Sequence, residues 1–546
     1  LIELFRAAAS NDPVAYLNEG RLSEPTGYAN ANVALWTTAF WPALLIAGRR
    51  EVPWWLRSLM LGSAGLLAAL AILGQSRGWL VVMPVVFLVA VAIVPGRGRT
   101  IGAMALVGAA TAIVITPLLN VYRDFDAHKT GPQGMPGALT ATLVAIGLLL
   151  VVGAVWAFAD HAPAFDATRR RRLGIALVVA LAVCFVGSIA AYSVARESPI
   201  TRVEKEWEEF RLKSGESELH SGDSARLGTL GGSWRYDYWR VAWELFEEHP
   251  LIGIGGDNFG REYLIRGESG QSPTYPHSVE LRALEETGLI GAALLVGSIV
   301  AALIAAAGRI RRDMGVAAPV AASGVVVFAY FILHGSMDWL WEFPALGAAA
   351  FAMLGIATVA SDRETPEGGD ELAGVGRAAS TDRAWRWTAI GVGGLCAVAL
   401  VISLTLPWLS ERDLHSGEAL AATDPTVAVK DLERASDLNP LSPLPEKTAA
   451  AIELRDGDIH AAEERFLKTQ EQDPGDPFVH LELATIASTT GRQAEAVRQI
   501  RRAAGLNPLD GVTRRVQKLL ERGKKVTPDQ VDRLILRNIN ARIGPQ

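Results

Sequence analysis

Cysteine is nearly absent. The 546 residues contain two, Cys184 and Cys396. Both sit inside apolar runs, where a free cysteine is expected to behave as a small buried hydrophobe, and neither a disulfide nor a cysteine-ligated zinc is supported. No H-E-x-x-H, no G-x-S-x-G and no cysteine cluster occurs, so the usual signatures of zinc peptidases and serine hydrolases are missing. Gly253-Ile254-Gly255-Gly256 follows no strand and reads as a turn after Pro250, not as a dinucleotide fingerprint. The formal net charge is only -6, and nothing in it suggests a nucleic-acid partner. The chain starts at Leu1 with no signal-peptide pattern, and its first stretch of roughly 30 residues reads as the end of a loop, so an N-terminal piece is expected to precede it.

What is abundant is apolar sequence. Half the residues are hydrophobic and mean hydropathy is +0.22, with the excess gathered into blocks. A helix needs about 20 mostly apolar residues to cross a bilayer. Ten segments qualify: 31–48, 56–74, 78–95, 101–119, 138–159, 173–194, 288–308, 316–334, 343–360 and 387–408. Several are rich in Ala and Gly, as close helix packing in lipid favours. Trp54, Trp55, Trp79, Trp385 and Trp408 stand near segment ends, where interfacial belts form. The segments hold almost no charges, which argues against a transport path through them.

The connecting loops alternate in charge. One set holds sixteen arginines: Arg49, Arg50, Arg57, Arg97, Arg99, Arg169 to Arg172, Arg309, Arg311, Arg312, Arg363, Arg377, Arg383 and Arg386. The alternate short loops hold three basic residues, Arg77, Arg123 and Lys129. The positive-inside rule puts the first set in the cytoplasm. The long loop 195–287 is then external, as are the short loops Gln75–Gly78 and His334–Phe343 and everything after Trp408. The fold class expected is all-α: a polytopic membrane bundle over 1–408 with a large external loop, a cytoplasmic loop at 361–386, a linker at 409–425, helical repeats over 426–525 and a tail at 526–546.

The repeats are read from punctuation. Asn439-Pro440, Asp473-Pro474 and Asn507-Pro508 recur every 34 residues. Alanine-rich helical stretches lie between them. This period resembles tetratricopeptide repeats, in which each helix pair is buried by its neighbour. Such an array suits docking of a protein partner.

Chemistry is sought in the stretch from Trp234 to Gly291. His277 precedes Leu281, Leu284 and Gly288, which fall at helical spacing, so it stands at the start of a short amphipathic helix running into the next span. The helix dipole disfavours an imidazolium there, leaving a neutral base suited to a hydroxyl. Arg235 opens another amphipathic helix, with Trp239, Ala242 and Phe246 on one face. Arg77 sits in a tight corner between two spans. Two guanidinium forks are well shaped for a diphosphate. Asp124-Phe125-Asp126 has D-x-D spacing in a loop but is a weak metal-diphosphate signal on its own.

These motifs carry a resemblance. R-Y-x-Y-W-R, then H-P-L-I-G-I-G-x-x-N-F, then P-H-S-x-x-L-x-x-L-x-E-x-G-x-x-G resemble the shared domain of the O-antigen ligase and polymerase superfamily. Arg21-Leu22…Gly27-Tyr28-x-Asn30, Ser76-Arg77-Gly78 and His334-x-x-x-Asp338-Trp339-x-Trp341-x-x-Pro344 also resemble its pattern, which covers roughly 1–360. The resemblance implies a metal-independent, cofactor-free, inverting glycosyltransferase of the cell membrane. It moves a glycan from an undecaprenyl-diphosphate carrier to an acceptor hydroxyl on the outer face. His277 matches the family's essential histidine, and Arg77 and Arg235 its diphosphate-binding arginines. Arg240, Glu286, Asp338, His334, Asn30 and Arg21 are implied as supporting or acceptor-side residues. Ser278 stands where Asn is frequent and Arg282 where Gln is common. The alternatives are a polymerase joining lipid-linked units and, from another class, a lipid-glycan transporter or scaffold.

Overall fold

The computed structural model describes residues 1–18, 20–126, 134–160, 234–312, 317–359 and 379–543, with 204, 207 and 208 besides. Elements are numbered over these residues. The protein is all-α; among the described residues the exception is a two-residue antiparallel pair, β1 (Leu17–Asn18) with β2 (Arg21–Leu22). It divides into two units, one of Leu1–Phe259 with Pro273–Asp362, the other of Gly260–Ser272 with Arg363–Gln546.

The first unit holds α1 (Ile2–Ala9), α2 (Ala29–Ala47), α3 (Trp54–Leu73), α4 (Arg77–Ile93), α5 (Arg97–Asp126), α6 (Gly134–Ala159), α7 (Arg235–Glu248), α9 (Val279–Arg312), α10 (Ala317–Gly335) and α11 (Pro344–Thr358). α8 (Phe259–Arg266) crosses the division. Local chemistry sets the ends. Pro53 precedes α3, Ser76 caps α4 by accepting from the Trp79 amide, and Pro344 opens α11. Pro42, Pro84 and Pro117 lie inside α2, α4 and α5, as membrane helices tolerate. Small residues let the helices close up. A Cβ on Gly65 would stand 2.3 Å from Leu149 Cδ1, and one on Gly324 2.2 Å from the Met353 carbonyl.

Nine of the ten apolar segments fall on helices; 173–194 lies outside the described residues, as does Cys184. Among the described residues six helices are long and apolar enough to cross a membrane: α3, α5, α6, α9, α10 and α12 (Ala379–Leu420). α4 and α11 are shorter apolar helices. The protein is a multi-pass membrane protein. Asp124, Phe125 and Asp126 belong to the last turn of α5, not to a loop.

The bundle's two ends differ. The α2 C-terminus, α3 N-terminus, α4 C-terminus, α5 N-terminus and α6 C-terminus meet around Asp160. Its carboxylate accepts from Arg57 (2.7 Å), Arg50 (3.4 Å) and Arg99. The opposite end carries the α4 start, the α10 end and the loop between α10 and α11.

The second unit holds α12, then α13 (Pro425–Leu438), α14 (Leu444–Asp456), α15 (Ile459–Gln472), α16 (Pro477–Thr489), α17 (Gln493–Leu506), α18 (Gly511–Glu521) and α19 (Pro528–Ile543). Asn439, Asp473 and Asn507 end α13, α15 and α17 in one backbone conformation, with φ/ψ of -137°/75°, -133°/85° and -144°/78°. The punctuation read in the sequence thus recurs as geometry. The expected linker 409–425 is helical as far as Leu420, because Leu414 packs with Ala428, Leu432 and Ala449 and so holds the helix together. Cys396 is exposed on α12, where burial was expected, because none of the described residues covers the apolar window of the span that carries it. Arg261 donates to Asp473 (2.8 Å) within this unit.

Candidate functional site

The segment bearing His277 is held by a backbone clasp. α9 begins at Val279, and Ser278 Oγ accepts from the Leu281 amide (3.4 Å). It does not run unbroken into the span as expected: Gly288 takes φ 62°, ψ -167° and breaks it. The carbonyls and amides released there pair with the loop after α7. Ile254 donates to Glu285 O (2.7 Å) and Gly255 to Glu286 O (3.0 Å), while Leu289 donates to Pro250 O (2.8 Å) and Ile290 to Leu251 O (3.2 Å). Gly253 and Gly288 are required. A Cβ on Gly253 would meet Glu286 C at 2.4 Å, one on Gly288 would meet Leu251 C at 2.3 Å, and both residues have positive φ. Glu286 braces the same loop, accepting from the Asp257 amide (3.0 Å) and Arg282 Nε (3.0 Å). Arg282 also pairs with Asp257 and Glu342 and lies over the Tyr275 ring.

His277 itself has φ 58°, a strain of about 1–3 kcal/mol for a non-glycine residue, of the kind that gathers at functional sites. Its Nδ1 lies 2.9 Å from the Tyr275 carbonyl. A carbonyl only accepts, so Nδ1 carries the proton and Nε2 of the neutral ring keeps a lone pair. The ring lies 5.2 Å from Tyr238 and 5.8 Å from Trp339, centroid to centroid. It lines a cleft of about 10 Å³ with Tyr275, Asp338, Trp339 and Glu342, room for one water-sized group. The His277 pKa lies below the ordinary value. Burial is the main cause and Arg235 adds to it, against Asp338 and the bond to Tyr275.

Asp338 is the hub. One oxygen accepts from Arg235 Nη2 (3.1 Å) and Asn30 Nδ2 (2.5 Å), the other from the Tyr28 hydroxyl and the Trp339 amide (2.9 Å each). Burial pushes Asp338 up, but Arg235 foremost, then His277, His334 and the Tyr28 hydroxyl hold it below the usual carboxylate range. Tyr28 is pushed up, by burial first and by Asp338 next. The arginine fork is thereby pinned on one side. Below the hub, His334 is fully buried, with Nδ1 2.8 Å from the Tyr330 hydroxyl and Nε2 3.4 Å from Ser76 Oγ.

The residues singled out in the sequence fall into two groups. Arg235, Asp338 and Asn30 are in direct contact, and His277 and His334 share their electrostatics with them. Arg77 heads α4 half-buried, and its corner is packed against His334: a Cβ on Gly78 would stand 3.0 Å from His334 Nε2. Arg240 pairs with Asp237 and Glu244 on its own helix, and Glu286 braces the loop. Arg21 is buried in β2, across from Asn18. The α7 face that packs is Tyr238, Val241, Ala242 and Leu245, so of the stripe marked in the sequence Ala242 is buried while Trp239 and Phe246 stand half-buried beside it. Tyr28, Tyr238 and Trp339 were not singled out as site residues. Tyr28 and Trp339 adjoin Asn30 and Asp338, but aromatics at span ends read as interfacial anchors.

The arrangement places a base lone pair near an oriented guanidinium between aromatic walls. It can take a proton from a hydroxyl while an anion is stabilised close by. Among the described residues no group of three His, Cys, Asp or Glu is placed to hold a metal ion.

Comparison with known families finds the O-antigen ligase model matching residues 134–296. Comparison with curated proteins finds no match. The matched stretch includes Arg235, Arg240, His277 and Glu286, while Asp338, His334, Arg77, Asn30 and Arg21 lie outside it. Over the stretch that carries Arg235 and His277, this multi-pass membrane protein is thus similar to the O-antigen ligase family.

Proposed function

We propose that the protein transfers a glycan from an undecaprenyl-diphosphate carrier to an acceptor hydroxyl at the outer face of the cell membrane, in the manner of an O-antigen ligase. The observation that carries this reading is the His277 tautomer. With Nδ1 committed to Tyr275, Nε2 is the base. It takes the acceptor's proton as the hydroxyl attacks the anomeric carbon, which gains oxocarbenium character as the diphosphate leaves. Arg235 and Arg77 absorb the departing charge in place of a metal, so chelators leave the rate unchanged. Attack opposite the leaving group inverts the centre.

The outer-face assignment rests on the arginines. Arg49, Arg50, Arg57, Arg97 and Arg99 stand at the Asp160 end, which by the positive-inside rule supports a cytoplasmic Asp160 end and an external His277 end. The helices of the second unit serve as tetratricopeptide repeats that dock a protein partner. A polymerase joining lipid-linked units shares the same chemistry and is told apart by product length. A transporter or scaffold would need no His277.

The test is glycan transfer in membranes. His277→Ala lowers transfer by about 10²–10⁴-fold while the protein inserts and unfolds at the wild-type temperature in detergent. Normal transfer by the inserted variant overturns the reading.

A further inference from the structure

The α5 N-terminus at the Asp160 end has features of an anion site that the chemistry above does not use. Arg49 lies against the turn that opens α5. Its Nη1 donates to the Pro95 carbonyl (2.6 Å) and its Nε to the Leu45 carbonyl (3.3 Å). Arg49 is 7% exposed, and its buried Nη2 has no hydrogen-bond partner among the described residues. The hydrogen bonds of Arg49 go to neutral carbonyls, and the attraction of Glu51 is opposed by the nearby charge of Arg99, so a buried guanidinium with an open donor is costly and wants an anion. Arg50, Arg57 and Arg99 all share Asp160. That carboxylate is occupied, and Arg49 and Arg97 pair with no carboxylate among the described residues.

The terminus itself suits phosphate. α5 is thirty residues long, so its first amides and the positive end of its dipole face this spot. Gly98 leaves room, with no heavy atom within 4 Å of a built Cβ. Arg97 is exposed beside it. The surroundings are those of a membrane interface: Trp54 and Trp55 are exposed at the start of α3, and Leu88 is exposed on α4.

We propose that Arg49, Arg97 and the α5 N-terminus bind the phosphodiester headgroup of an anionic phospholipid. The headgroup reaches Arg49 Nη2 and the amides at Arg97 and Gly98, while its acyl chains lie along the exposed apolar faces at this end. The phosphate is the recognised chemistry, and the exposed tryptophans and apolar helix faces assign it to a lipid and not to a soluble phosphate.

The full chain is placed in nanodiscs containing equal phosphatidylglycerol and phosphatidylcholine, released, and weighed with its retained lipids by native mass spectrometry. Wild type retains phosphatidylglycerol in preference. Arg97→Gln, at an exposed position that does not threaten folding, lowers that preference by about fivefold, the expected worth of one surface arginine at an anionic lipid. Arg515→Gln, an exposed arginine in the second unit, leaves it unchanged. Equal retention of the two lipids by wild type, or an undiminished preference in Arg97→Gln, overturns the proposal. So does inorganic phosphate that raises the unfolding temperature of the lipid-stripped protein as much as phosphatidylglycerol does.

Discussion

The two ends of the first unit are each organised by one carboxylate, and they use it differently. Asp160 takes three guanidiniums from three separate stretches of chain. Asp338 takes one guanidinium and fills its remaining capacity with the neutral donors of Tyr28, Asn30 and the Trp339 amide. Burial pushes Asp160 up, but hydrogen bonds from Arg99 and Arg57 and then their charges bring it down to about 2. It is a staple, saturated with positive charge. Asp338 shares its field with two histidines and orients a single fork. A carboxylate held by neutral donors can set the charge of its neighbours, whereas one saturated by arginines mainly joins helices.

Four substitutions test that contrast. Asp160→Ala should have the largest effect on folding. It leaves Arg57, 2% exposed on its side chain, without a counter-charge, a loss of about 3–5 kcal/mol read as a lowered unfolding temperature in detergent. The native Asp160 contribution is fully present above about pH 4, the ordinary aspartate value, and is lost as the pH falls to about 2. Unchanged stability would remove the distinction between staple and site. Gly288→Ala forces a side chain into positive φ against Leu251 and should cost about 1–3 kcal/mol, with a loss of transfer as the His277 segment shifts. Asp338→Asn should leave the fold intact and move the acid limb of the transfer pH profile downward. Asp338 raises the His277 pKa, so its removal lets the base stay unprotonated to lower pH. An acid limb that moves upward would break the assignment of His277 as base. Arg240→Gln should do least. It removes a same-helix ion-pair set worth within about 1 kcal/mol, with the transfer rate unchanged, and a large loss of transfer would bring Arg240 into the site.

Much of this was readable beforehand because its signals are local. Apolar run length marked the helices, and the 34-residue punctuation marked the recurrent caps at Asn439, Asp473 and Asn507. His277 before a helix and Arg235 at the head of another were visible from spacing. The hub was only half visible. Asn30 and Asp338 are separated by 308 residues, and no periodicity reports such a contact. The break at Gly288 was hidden because a glycine inside an apolar run reads as helix packing. It becomes a break only when the loop after Pro250 supplies partners for the freed backbone. The α7 face was marked only in part, at Ala242, because a polar-aromatic helix offers two adjacent stripes and only its packing partners tell them apart.

The clasp at Gly288 is made of main-chain atoms, apart from the two glycines that make room for it. It therefore places few demands on the identity of the residues it encloses. Residues 256–284 form a cassette whose ends are kept at fixed spacing by four N–H···O bonds. The stems are set by the main chain, while Asp257, Tyr275 and Arg282 within the cassette add side-chain contacts that hold the His277 segment.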